Sequence, residues 1–258
     1  MFPAKHLEKL LKEELGHEFE HLDMYMAENL RFFPGEEKND PKLVRELASK
    51  GDIYINDAFA SCSREHASVV GLPKVLPHAA GFSLIHEVEA LSKVLEKREK
   101  PVVFVLGGGK GDKALLIPKL LQKADWLLVG GLLPKTVKSY GSEGEGGVCV
   151  SAAHLTPKGE DITPDSARNF AEVIKEAGTI VWGGPMGDID GGYWDGTEVV
   201  GKAIAESGAY KVAGGGDTIH AINNLKLTEK FDHISMGGGA MLEFLAYGDL
   251  PGLRTLRG

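Results

Sequence analysis

The chain has 258 residues, 43% hydrophobic and 26% charged, which is long enough to bury a real core and too apolar for disorder to be the default. Its net charge of -8 argues against a nucleic-acid binder, although local lysines can still dominate a small phosphate cleft. Cys62 and Cys149 lack metal-ligand spacing and read as unpaired thiols of a reducing compartment.

The first residues, Met1–Lys5, lead into a charged helical pattern rather than an apolar signal core. The longest apolar stretch, Trp126–Pro134, is too short and glycine-rich to cross a bilayer, so a soluble cytoplasmic protein without a membrane partner is expected. Leu7, Leu10, Leu11 and Leu15 share one face of a helix expected over 5–15. Asp40-Pro41 reads as a cap with proline in the first turn, followed by Leu43, Val44 and Leu47. Asp52–Asp57 has the content of a short buried strand, and Leu84, Val88, Leu91 and Leu95 give a helix over Phe82–Glu96.

Six apolar runs of strand length follow: Val102–Leu106, Trp126–Val129, Val148–Val150, Thr179–Trp182, Tyr210–Ala213 and His233–Met236. Most end in glycines, at Gly107–Gly109, Gly130–Gly131, Gly183–Gly184, Gly214–Gly216 and Gly237–Gly239. Any one cluster is more simply a tight turn needing positive φ. Five after successive parallel strands would line one sheet edge, where open α/β sheets bind ligands. The expected fold is a three-layer α/β/α domain with a six-stranded parallel sheet, preceded by an incomplete α/β N-terminal domain. The boundaries are 1–80 for the N-terminal part, 81–98 for an interdomain helix and 99–258 for the sheet domain. The final residues are expected to pack back on the N-terminal part. Gly141–Gly147 reads as a surface loop.

The chemistry-bearing runs begin with Glu28-Asn29-Leu30-Arg31-Phe32, and continue with Asn56-Asp57-Ala58-Phe59 leading to Arg64-Glu65-His66-Ala67-Ser68. Each arginine alone reads as a solvated side chain; past a strand, its guanidinium can grip a phosphate or carboxylate. Gly107-Gly108-Gly109-Lys110-Gly111-Asp112-Lys113 joins a strand to a helix, a plausible phosphate cradle without Walker spacing. Trp182-Gly183-Gly184-Pro185-Met186-Gly187, Gly214-Gly215-Gly216-Asp217-Thr218 and Ser235-Met236-Gly237-Gly238-Gly239-Ala240 complete the set. Asp217 is either a plain cap or a carboxylate that holds Mg²⁺ through its water shell.

In this order the runs resemble the phosphoglycerate kinase family, matching its ENLRF, NDAF…HRxHAS, GGAK…DK, WNGPMG, GGGDT and STGGGA patterns from Glu28 to Gly258. The resemblance implies phosphoryl transfer between 1,3-bisphosphoglycerate and ADP, or 3-phosphoglycerate and ATP, with Mg²⁺ and a hinge closure, in glycolysis or gluconeogenesis. It implies that Lys110 and Lys113 contact nucleotide phosphates, that Asp217 lies beside the metal, and that Thr218 donates to phosphate. Gly130 and Gly131 would border the adenine, and Asp190 would meet the ribose. Gly183, Gly215 and Gly216 would lie along the nucleotide, with Lys110, Gly216 and Gly239 nearest the transferring group. Arg31 and Arg64 would bind the triose. No protein nucleophile is needed, because alignment and charge neutralisation suffice.

The departures are as informative. The family's RVDFN and SHLGRP patterns have no counterpart, and with them goes an arginine of a kind worth about 10³ to 10⁵ in rate in other phosphotransferases. Gly183 stands where the family has asparagine, Met236 where it has threonine, and Leu132-Leu133-Pro134 where it has a softer run. The lysine pair is one residue closer than in the family, and Pro118 is expected to kink the helix that follows. Three readings stay open: a working kinase, a nucleotide-binding remnant, or an interaction module whose exposed sheet edge pairs with another chain. A monomer is the family expectation.

Overall fold

The computed structural model describes residues 13–14, 27–109, 111–131, 133–134 and 148–258. The helix expected over 5–15 lies outside them except for Glu13 and Glu14, which are helical, and the loop expected at 141–147 lies outside altogether. The chain divides into a smaller unit, Met1–Tyr54 with Glu65–His78, and a larger one, Ile55–Arg64 with Ala79–Gly258. It passes between them through two short strands, β1 (Tyr54–Asn56) and β2 (His78–Ala80).

In the smaller unit, helix α1 (Pro41–Ala48) starts as its sequence dictates: the Asp40 side chain accepts the Lys42 N–H at 2.7 Å and proline occupies the first turn. Leu43 and Val44 pack on Ala67 in a small core. Beside it Glu36, only 2% exposed, accepts from the Ser68 N–H at 3.1 Å and the Ser68 hydroxyl at 2.5 Å. That carboxylate anchors the Ala67–Gly71 turn, which also donates the Ala67 N–H to the Glu36 carbonyl.

The expectation of a buried strand at 52–57 needs correction. Only Tyr54–Asn56 is extended, and Ile53 and Ile55 are 66% and 62% exposed. A two-stranded sheet offers no second layer to cover both faces, so apolar content here does not secure burial. The following segment is anchored in the larger unit. Phe59 meets Phe244 edge-on at 6.3 Å, and the Gly252 N–H donates to the Cys62 carbonyl. Cys62 is fully buried, and burial pushes its thiol up to about 11.

The larger unit is built on β3 (Val102–Leu106), β4 (Trp126–Val129), β5 (Cys149–Ala152), β6 (Thr179–Gly183), β7 (Tyr210–Gly214) and β8 (His233–Ser235). They form one parallel sheet in the order β5-β4-β3-β6-β7-β8. Strands buried on both faces read as continuous apolar runs, as β3 does. Val102, Phe104 and Leu106 join a core with α2 (Phe82–Glu96), α3 (Ile117–Leu120) and α7 (Gly238–Tyr247). Val103 and Val105 face the opposite core, with α4 (Pro164–Lys175), α5 (Asp195–Glu206) and α6 (Gly216–Asn224). The period of two in one strand thus selects both helical layers. Helix α8 (Pro251–Arg257) sends Leu253 into the α2 core. Pro118 stands in the first turn of α3, after a 3₁₀ segment at Gly111–Leu116. It begins a short helix there rather than kinking a long one.

Helix α2 begins at Gly81 without a cap of its own. Asp57 supplies one from a distance: its carboxylate accepts the Leu84 N–H at 2.8 Å and the Ser83 hydroxyl at 3.0 Å. Gly81 leaves the room, since a Cβ there would fall 2.4 Å from the Asp57 carboxyl carbon. The Leu84 N–H bond is the main reason the Asp57 carboxyl is held below its usual range. A depressed folded pKa stabilises above the ordinary aspartate pKa, and that gain is lost as pH falls through the depressed value. Asp57→Ala should therefore lower the melting temperature at neutral pH, and the deficit should shrink on acidification; melting curves across the acid range read this out.

Candidate functional site

Because the sheet is parallel, the carboxyl ends of its strands fall along one rim, and five of the six carry the glycine clusters. The rim is closed by backbone against backbone. A Cβ on Gly107 would lie 2.1 Å from the Pro185 carbonyl oxygen, one on Gly184 2.3 Å from the Gly107 oxygen, and one on Gly131 2.4 Å from the Gly108 nitrogen. Gly131 and Gly184 also have φ values of +60° and +114°, so their lack of a side chain is required twice over. The Gly108 N–H donates to the Pro185 carbonyl at 2.8 Å and the Gly131 N–H to the Met186 carbonyl at 3.0 Å. Lys113 binds the same junction from within. Its half-buried ammonium donates to the carbonyls of Gly107 and Gly183, both at 2.8 Å.

Beside this junction two helix starts lie together. A Cβ on Gly238, at the beginning of α7, would meet Gly215, the N-cap of α6, at 2.4 Å. Gly216 and Gly239 face open space, where a Cβ would meet nothing within 4 Å. Helix starts present unpaired N–H groups and the positive end of the peptide dipoles, so this pair attracts anions. Asp217 stands exposed in the first turn of α6. The buried Thr218 hydroxyl behind it accepts the Gly184 N–H at 2.8 Å and donates to the Gly214 carbonyl at 2.9 Å. Its proton is thus committed to the scaffold between β6 and β7.

A cleft of about 290 Å³ opens at this rim, lined by Gly108, Gly109, Gly131, Pro185, Asp190 and Asp217 among others. The sequence reading missed two of its other walls, Gly159–Glu160 and Asp188, which no motif marked. Behind them Asp161 accepts the N–H groups of Ile162 and Gly196, and burial raises its carboxyl pKa. Glu87 was also missed, although a charged residue on the buried face of α2 was a readable signal. It accepts the Met236 N–H at 3.1 Å and lies 2.7 Å from His233, fixing the turn into Gly237–Gly239.

Of the residues singled out from sequence, Gly131, Asp190 and Asp217 line the cleft, while Gly215, Gly216 and Gly239 flank its helix starts. Gly130 is buried under Met186, and Gly183 would point a side chain at Leu106 and Leu242. Lys110 lies outside the described residues. Arg64 is exposed near Glu243, whose carboxyl pKa is raised by burial against the pull of that guanidinium. Arg31, in the smaller unit, is exposed in a 3₁₀ turn whose start is capped by Asn29 at 3.0 Å. A single exposed carboxylate at a helix start suits Mg²⁺, which keeps its waters and takes one or two carboxylates beside phosphate oxygens. Among the described residues no three His, Cys, Asp or Glu side chains converge as an all-protein metal cage.

A second hollow of about 300 Å³ lies by the amino ends of β3–β5, lined by Arg98, Lys100, Lys123 and Asp125. Local bonds account for most of its charge: Arg98 donates to the Leu95 carbonyl and Lys100 to Asp125. It lacks the rim's helix starts and glycine approaches. No described helix is long and apolar enough to cross a membrane.

The geometry gives Lys113 a structural duty that a purely phosphate-binding lysine would not have. Lys113→Met should destabilise the nucleotide-free protein by about 1–3 kcal/mol, the cost of stranding buried carbonyls. Chemical denaturation without nucleotide measures it, and an unchanged midpoint would contradict the assignment.

Comparison with known proteins gives the same picture from the sequence side. The phosphoglycerate kinase family profile matches residues 4–148 and 137–247. The phosphoglycerate kinase of Thermus thermophilus is 40% identical over 284 aligned residues, covering 92% of this chain and 73% of the relative. That of Rubrobacter xylanophilus is 38% identical, covering 98% and 76%. The solved phosphoglycerate kinase of Pyrococcus horikoshii superposes with a TM-score of 0.81 at 28% identity, over 98% of this chain and 82% of that one. The enzyme of Coxiella burnetii gives 0.73 at 33% identity, over 88% and 72%. With this family match over most of the chain and relatives at these identities and coverages, the chain belongs to the phosphoglycerate kinase family of phosphotransferases.

Proposed function

We propose that the chain transfers a phosphoryl group between 1,3-bisphosphoglycerate and ADP, the rim cleft holding the nucleotide. The observation that carries this reading is the pair of helix starts at Gly215–Gly216 and Gly238–Gly239 beside a cleft whose α6 end carries the exposed carboxylate of Asp217. N–H groups fixed by the fold need no reorganisation to meet charge on the transferring oxygens, and such preorganised dipoles are strong contributors to catalysis. Asp217 would hold a Mg²⁺ ion, which when bound would neutralise charge on the phosphate oxygens.

In this reading Lys110 reaches the phosphates and Asp190 meets the ribose, as the family motifs imply. Lys113 keeps the β3–β6 junction at the right spacing beneath them, and Thr218 acts through its grip on Gly184. Arg31 and Arg64, exposed guanidinium forks, would bind the triose carboxylate and phosphate. The domain division proposed is triose-binding in 1–80, a connecting helix in 81–98 and nucleotide-binding in 99–258. The setting that fits is a cytoplasmic step of glycolysis or gluconeogenesis.

The test is a coupled phosphotransfer assay run beside calorimetric titration of the nucleotide. Turnover with saturable binding is expected. Arg31→Ala should lower kcat/KM for the triose by tenfold or more, on the order of one lost charged hydrogen bond, while nucleotide affinity holds. Tight nucleotide binding with no turnover would instead establish a non-catalytic nucleotide-binding member of the family. Equal loss of triose use and nucleotide affinity would overturn the role given to Arg31.

A further inference from the structure

Asp161 is only 6% exposed, and the charge that bears on it, from Asp195, has its own sign. A buried carboxylate without a cation is costly unless other donors satisfy it. Two main-chain groups do so: its Oδ1 accepts the Ile162 N–H at 2.7 Å and its Oδ2 the Gly196 N–H at 3.0 Å. The second bond gives the start of α5, which has no side-chain cap of its own, an acceptor from elsewhere in the chain. Glycines leave the slot open. A Cβ on Gly187 would lie 2.5 Å from the Asp161 carboxyl carbon, and one on Gly196 2.5 Å from its Oδ1.

The bonds around Asp161 run to two segments of the cleft wall. On one side it closes a turn over 156–161. The Thr156 N–H donates to the Asp161 carbonyl at 2.9 Å, and the Asp161 N–H to the Thr156 hydroxyl at 3.3 Å. That turn carries Gly159 and Glu160, which line the cleft. On the other side Thr197, next to Gly196, accepts the N–H groups of Met186 at 2.9 Å and Gly187 at 3.3 Å. Residues 187–190 form the second segment. The Asp188 N–H donates to the Glu160 carbonyl at 2.7 Å and joins the two. The start of α5 is thus their common anchor, and the Asp161 carboxylate ties the first segment to it.

We infer that Asp161 is a positioning residue for the nucleoside end of the cleft, acting through the wall rather than on the ligand. The inference rests on the cleft being the nucleotide site, with Asp190 at the ribose and the diphosphate over the start of α6. Removing the carboxylate frees the turn that carries Gly159 and Glu160. It leaves the phosphate end, at Gly215 and Gly216, as it was. Ligands with and without a nucleoside should therefore respond differently.

The experiment is calorimetric titration of the full chain with ADP and with inorganic pyrophosphate, each with Mg²⁺, beside the coupled assay. Asp161→Ala should weaken ADP binding about tenfold or more, the scale of one hydrogen bond to a charged group. Pyrophosphate affinity should hold. In turnover the KM for ADP should rise while kcat holds. Asp161→Asn keeps one acceptor and should fall between. Equal losses for ADP and pyrophosphate overturn the inference, since they mark a general loosening of the fold. So does an Ala variant that binds ADP like the wild type, or wild-type protein that binds pyrophosphate as tightly as ADP. Wild-type protein that binds neither ligand sinks the cleft reading itself, and this inference with it. Should the Ala variant fail to fold by circular dichroism, the Asn variant decides, and an unchanged ADP-to-pyrophosphate ratio overturns the inference.

Discussion

Contact of backbone on backbone at the carboxyl ends of β4, β3 and β6 is the constraint on which the rest of the larger unit depends. A single methyl group on Gly107, Gly131 or Gly184 would drive these turns apart, because each Cβ would fall well inside the van der Waals distance of a main-chain atom. The turns can approach only because the sequence keeps glycine at the end of each strand. Their approach brings β6 within reach of the Thr218 hydroxyl and so fixes the start of α6 against the sheet. From there Gly238 against Gly215 sets the start of α7 beside it. One steric rule thus propagates across the sheet and delivers two helix starts to one place.

The electrostatics follow from the same arrangement. Strand carbonyls turned toward one another at a rim would repel, and the Lys113 ammonium between Gly107 and Gly183 offsets that repulsion. The same cation adds to the positive potential beneath the cleft, so scaffold and ligand draw on one charge. The outer wall is the reverse, with Glu160, Asp188 and Asp190 giving an acidic end in a chain of net charge -8. A ligand negative at one end and rich in donors at the other fits such a field, which is the charge pattern of a nucleotide.

Much of this was legible in the sequence. Glycines after five of the six apolar runs foretold the rim, since strand polarity alone places them on one edge. Helix α2 was found over Phe82–Glu96 from its spacing, and α1 from its Asp40-Pro41 start. What spacing cannot give is the partner of a side chain. Lys113 was read as facing outward to phosphate, and Thr218 as a phosphate donor. In the structure Lys113 also donates to the Gly107 and Gly183 carbonyls, and Thr218 to the Gly214 carbonyl one turn back. Ile53 and Ile55 have strand-like content, yet burial depends on a second layer that two short strands do not bring. Glu160 carries no motif and becomes visible only as a wall of the cleft. The alignment with the Thermus relative is also longer than this chain, so the relative carries internal segments without counterpart here.

The most direct test is a crystal structure of the chain with a bound Mg²⁺–nucleoside diphosphate. The diphosphate is expected over the start of α6, near Gly108 and the Gly215–Gly216 amides, with the cation beside Asp217. Electron density for the nucleotide in the hollow of Arg98 and Lys123, or anywhere away from the glycine rim, would contradict the account.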